Sequence, residues 1–133
     1  SWIFDVEGEE GFREREQQVI DDLSQRQGIV LATGGGAVLR EINRQRLSQR
    51  GVVVHLHSPL KRLLARTKSD RNRPLLQTAN PKKVLEDLYA QREPLYAEIA
   101  DIKMITAQQS IGALVSQLAK KIRAQENAIN SQT

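Results

Sequence analysis

A chain of 133 residues suits one domain, long enough to bury a core and too short for two. Nothing in it approaches the roughly eighteen apolar residues of a membrane span, and its first residues lack a signal-peptide core, so a soluble, cytoplasmic protein is expected. The absence of cysteine excludes disulfides and thiolate metal sites. A net charge of +4 and a pI near 9.7 point to an anionic partner, and thirteen of the twenty basic residues are arginines, suited to bidentate contact with carboxylate or phosphate. Aromatic residues make up only 4% of the chain, which speaks against a nucleic-acid binder.

In chain order, Trp2, Ile3, Phe4 and Val6 form a short apolar patch ahead of Glu7-Gly8-Glu9-Glu10-Gly11. From Phe12 to Gln25 the spacing of Phe12, Glu16, Val19, Ile20 and Leu23 predicts a helix with one apolar stripe, which Gly28 is placed to end. Ile29 to Ala32 reads as a buried strand, and Gly34-Gly35-Gly36 leads from it into a helix over 40–49. In open α/β sheets the carboxyl end of a strand is where small molecules bind. A tight strand-to-helix turn needs glycine in any case.

Val52 to Leu56 reads as a second strand, with Ser58 as N-cap and Pro59 as first residue of a helix to about Thr67. His55 and His57 are too few and too poorly placed for a zinc site and are expected at the surface. Residues 69–80 are polar and arginine-rich, the character of a functional lid. A helix follows over 81–100, which Pro94 should end or kink, putting Arg92 at the bend. Ile102 to Thr106 forms a third strand, 111–123 a last amphipathic helix, and 125–133 a frayed tail. Alternating helices and strands make a parallel sheet with crossover helices the economical fold.

Four motifs then stand in order: Gly11-Phe12-Arg13 with Glu16, Thr33-Gly34-Gly35-Gly36-Ala37-Val38, Arg73-Pro74-Leu75-Leu76, and Arg92-Glu93-Pro94-Leu95-Tyr96. Together, and at this spacing, they resemble shikimate kinase. The resemblance implies an α/β fold of the P-loop nucleoside-monophosphate-kinase type, a parallel sheet with helices on both faces. It implies a monomer that uses ATP with Mg²⁺ to phosphorylate the 3-hydroxyl of shikimate, on the route to chorismate and aromatic amino acids. By similarity Arg13 and Arg92 clamp the substrate carboxylate, Gly34, Gly35 and Gly36 present backbone to the ring, and Glu16 holds Arg13. Arg73 would reach the nucleotide phosphates as the catalytic cation, with Arg66 and Gln109 on the adenine side. Singly, Arg13 with Glu16 reads equally as a surface ion pair, Arg92 as a helix cap, and Arg66 as solvated charge.

One departure is large. No G-x-x-x-x-G-K-[ST] occurs, so the backbone cradle for phosphates, its lysine and its Mg²⁺ hydroxyl have no counterpart, and the aspartate segment that follows them in the family is missing too. The expectation is that the 133 residues are the C-terminal part of a single kinase domain, without its P-loop strand and second strand, and inactive alone. A non-catalytic module binding a shikimate-like acid, a related enzyme such as gluconate kinase, and a basic nucleic-acid binder are the competing readings.

Overall fold

The first helical stripe of the sequence becomes α1, Trp2–Ser24, which a break at Gly8 divides in two. Gly8 has φ 75° and ψ −179°, a conformation that glycine tolerates and side chains resist. The segment that carries the expected stripe begins just past Gly8, a little ahead of the expected Phe12. The computed structural model describes residues 2–67, 80–106 and 110–131. They form two compact units, 1–53 and 54–133.

In the first unit Ile20 on α1 is buried to 3% exposure, whereas Val19, assigned to the same stripe, stays half exposed. The expected strand at Ile29 to Ala32 is absent, because the segment belongs to neither helix nor strand and Val30 is 99% exposed. A strand exists through its ladder of hydrogen bonds, and among the described residues no chain lies alongside to supply one. The glycines then enter a 3-10 turn, Gly35–Leu39, whose Gly36, Ala37 and Val38 are buried. Helix α2, Glu41–Arg50, follows.

The start of α2 fixes that turn from behind. Asn43, 1% exposed, donates from Nδ2 to the Ala37 carbonyl at 3.0 Å, and Arg44 donates from Nη1 to the Val38 carbonyl at 2.7 Å. The far end of α2 is tied to α1 through Asp21. Its carboxylate accepts from Arg50 Nη1 at 2.7 Å and lies 3.3 Å from Arg46 Nε. The hydrogen bond from Arg50, with the two guanidinium charges, holds the Asp21 carboxyl below the usual carboxylate range against a smaller opposing effect of desolvation. The unfolded chain then binds the proton more readily, so this contribution to stability is complete above about pH 3.8 and lost as pH falls through the lower folded value. Asp21→Asn should flatten the acid limb of stability against pH in urea melts, and leave the neutral limb parallel to that of the unmodified chain.

The second unit is built on two parallel strands, β1 (Val54–His57) and β2 (Ile102–Ile105), in register from Val54 opposite Ile102 to His57 opposite Ile105. The first strand starts two residues later than expected and takes in His57. Along β2 the side chains alternate, Ile102 and Met104 buried and Lys103 and Ile105 exposed. One face of this two-stranded sheet therefore carries the core.

Ser58 does not cap the next helix. Its Oγ pairs with Thr106 Oγ1, while Pro59, through its carbonyl, receives the Arg62 and Leu63 N–H groups ahead of α3, Leu60–Thr67. In α4, Pro81–Ile99, Asn80 accepts from the Lys83 N–H at 3.2 Å as N-cap. Pro94 does not end α4, which continues through it to Ile99. A proline removes only the one bond its own nitrogen would have donated, and buried Ile99 anchors the turn beyond it. Helix α5, Ile111–Ser131, runs through most of the expected tail, since Ala124, Gln125, Glu126 and Ala128 are good helix formers. No helix among the described residues is long and apolar enough to cross a membrane.

Candidate functional site

The glycine turn and α1 meet at a guanidinium. Arg13 donates from Nη1 to Glu16 Oε1 at 2.7 Å, one helical turn away, and the two side chains are only 17% and 13% exposed. They are no surface pair. A Cβ built on Gly36 would fall 2.6 Å from Arg13 Cζ, and closer still to both terminal nitrogens. A side chain at 36 would have to displace the guanidinium, which occupies that space. At Gly34 an added Cβ would lie 3.7 Å from Glu16 Oε2, an ordinary contact. Phe12 sits under the same cation, with Arg13 Cζ 5.2 Å from its ring centre, the distance of a cation–π contact.

This places Arg13, Glu16, Gly34 and Gly36 together, with Gly35 between the glycines at the start of the 3-10 turn. Arg13 Nε is buried and lacks a hydrogen-bond partner, so the guanidinium keeps donor capacity that Glu16 does not use. A cleft of about 310 Å³ is lined by Phe12, Glu16, Ile20, Leu31 and Gly34 among others. Arg40 bridges Glu10, Glu14 and Gln17, and so ties the exit of the glycine turn to the helix that carries Arg13. Neither Phe12 nor Arg40 was assigned a role by motif. The partners of Arg40 lie 23 to 30 residues away, beyond any local pattern.

Arg92 belongs to the second unit, on α4, and its Nε is likewise buried without a hydrogen-bond partner. Nearby Tyr96 is held in its neutral form by burial, against the opposing pull of the Arg92 charge. Arg66 stands on α3. Arg73, Gln109 and all but the last residue of the expected lid lie outside the described residues.

The two histidines are not at the surface. Their side chains are 10% and 14% exposed, and both face Glu93 of α4. His57 Nδ1 is hydrogen-bonded to Glu93 Oε1, His55 Nε2 lies 3.6 Å from the same oxygen, and Tyr89 Oη is 3.4 Å from His57 Nε2. Desolvation lowers the pKa of His55 and outweighs the attraction of Glu93. The alternation of His55 and His57 was the available signal, because residues two apart on a strand share one face. What that face would meet was not readable.

Residues 1–123 match the shikimate kinase family. Over 122 residues the chain is 57% identical to the shikimate kinase of Vibrio parahaemolyticus serotype O3:K6, covering 92% of this chain and 71% of that one. The Pasteurella multocida shikimate kinase is 54% identical over 123 residues, 92% of this chain and 70% of its own. Among solved structures, shikimate kinase from Acinetobacter baumannii in complex with shikimate superposes with a TM-score of 0.82 at 46% identity, over 93% of this chain and 69% of that one. The Bacteroides thetaiotaomicron enzyme, at 22% identity and a TM-score of 0.72 over 96% and 73% of the two chains, shares the fold. With the arginine on its glycine turn and a match that runs through nearly its whole length, the chain belongs to the shikimate kinase family.

Proposed function

We propose that this chain carries the acid-binding side of an ATP:shikimate 3-phosphotransferase. The observation that carries the reading is the Arg13 guanidinium, braced by Glu16 and seated where Gly36 leaves room for it. A small ring acid needs a cation held at a fixed angle, and a second-residue carboxylate is how a long side chain is kept from swinging. Arg13 retains an unpartnered, buried Nε and would turn a guanidinium edge to the shikimate carboxylate, a role the family likeness also assigns to Arg92. The backbone of Gly34, Gly35 and Gly36 would face the ring hydroxyls, and the family likeness assigns Arg73 to the charge that develops on the transferred phosphoryl group, with Arg66 and Gln109 beside the adenine. The protein would act in the cytoplasm as a monomer.

ATP is the co-substrate that family membership brings. The residues present do not fit a magnesium–nucleotide site, because the 133 residues contain no G-x-x-x-x-G-K-[ST] to cradle phosphates or bind the ion. No step through Mg²⁺ is therefore drawn from them.

Two measurements on the chain test the reading together. Calorimetric titration with shikimate should show one saturable site, and an assay of ADP release with ATP, Mg²⁺ and shikimate should stay at background. A folded chain that takes up no shikimate overturns the acid-site assignment. Shikimate-dependent turnover by these 133 residues alone overturns the division of labour between acid site and phosphate cradle.

A further inference from the structure

His55, His57 and Glu93 converge from β1 and α4 in an arrangement that substrate binding does not explain. We propose that they form a three-ligand site for a transition-metal ion of the Zn²⁺ class, with its fourth position open to water. The proposal is independent of the shikimate reading.

The two imidazoles lie on one face of β1, their ring centres 5.6 Å apart and their planes at 78°, edge to face. One nitrogen of each ring and a Glu93 carboxylate oxygen all lie within 4.8 Å of one another. In a tetrahedral site with bonds near 2.0–2.1 Å, ligand atoms stand roughly 3.3 Å apart. The 3.6 Å from His55 Nε2 to Glu93 Oε1 is already close to that, and longer than a hydrogen bond. The His57–Glu93 contact is shorter, as expected where a proton holds the place a metal would take. Binding would displace that proton and open this one edge.

The surroundings suit the assignment. With Nδ1 of His57 turned to Glu93, its other nitrogen faces the Tyr89 hydroxyl, the kind of outer partner that fixes a metal-bound imidazole. Burial keeps the Tyr89 phenol protonated, so no second anion competes for the ion. The His55 ring is tilted at 38° over Tyr96, 4.9 Å between ring centres, which limits its rotation. Its Nδ1 is buried without a hydrogen-bond partner, so His55 lacks the outer contact that His57 has in Tyr89. The nearest opposing charge across the sheet is Lys103, paired in register with His55 but exposed to water that screens it. Two nitrogens and one oxygen select Zn²⁺, Co²⁺ or Cu²⁺ over Mg²⁺, which takes oxygen ligands. The site is therefore distinct in chemistry from any magnesium that accompanies a nucleotide.

Co²⁺ is the direct probe, because tetrahedral Co²⁺ absorbs strongly in the visible range. The full chain titrated with CoCl₂ should take up one equivalent with a visible band that ZnCl₂ abolishes. His55→Gln and Glu93→Gln should each weaken binding by about 100-fold or more, and Tyr89→Phe by about 10-fold, the usual cost of losing an outer partner. Since the chain has just two histidines, imidazole ¹⁵N resonances report the site without ambiguity, and Zn²⁺ should move Nε2 of one and Nδ1 of the other. Near-UV circular dichroism of each variant shows that the unit still folds. The proposal is overturned if folded chain takes up no Co²⁺ at about 1 mM, if binding is unchanged in His55→Gln, or if the imidazole resonances stay in place.

Discussion

Gly36→Ala should weaken shikimate binding by about 100-fold while leaving the melting temperature almost unchanged. The added methyl would lie 2.6 Å from Arg13 Cζ, so the guanidinium must move. It is the far end of a flexible side chain, and the fold can absorb the shift at little cost. Shikimate binding should not absorb it, because in the proposed role Arg13 would act through the angle at which Glu16 holds it, 2.7 Å away. A displacement of about 1 Å in a positioning group is commonly worth about 100-fold. The adjacent control is Gly34→Ala, where the methyl meets Glu16 Oε2 at 3.7 Å and nothing needs to shift. Calorimetric titration of both variants decides the matter. Equal losses at 34 and 36 would mean that backbone exposure, and not the seat of the cation, sets affinity.

Arg92→Met should cost about 100-fold or more in shikimate affinity, with α4 intact. Methionine matches arginine in length and helix propensity, so the change removes charge and donors and little else. Each hydrogen bond to a charged group contributes about 1.5–3 kcal/mol, and a guanidinium fork offers two to a carboxylate. Arg92→Lys should recover only part of the loss, since an ammonium restores charge without the fork. The decisive comparison sets shikimate against its neutral carboxamide. The unmodified chain should prefer the acid strongly, and Arg92→Met should lose much of that preference. If acid and amide weaken by the same factor, Arg92 shapes the helix and does not hold the carboxylate.

The Arg13–Glu16 pair was legible in the sequence because its parts are local. Arg13 and Glu16 are one helical turn apart, and the glycines are consecutive, so their contact needed only the helix period and a turn. What the residue pattern left open, whether the pair is solvated or buried, was settled by packing: α1 lies against the glycine turn, and the turn is held by Asn43 and Arg44 of α2. Elements stated by their own propensity survived within a residue or two, as α2, α4 and β2 show. Ile29 to Ala32 did not, because β character is a claim about a neighbour as well as about the residues that carry it. Pro94 did not end its helix. Its missing N–H breaks one bond in α4, while the burial of Ile99 beyond it is a tertiary gain that no local rule includes.

By itself the sequence determined the order of the helices and of the two strands after Gly51, the four motifs that carry the family likeness, and the absence of a phosphate cradle among these residues. Each of these is fixed by residue type and spacing along the chain. Tertiary structure alone decided that the Arg13 guanidinium fills the space beside Gly36, that Arg40 ties the glycine turn to α1, and that His55 and His57 face Glu93 away from bulk water. The physical reason is the same in every case. Burial, the space left for a side chain and the reach of a hydrogen bond belong to pairs of residues that only folding brings together, here 36 positions apart for His57 and Glu93.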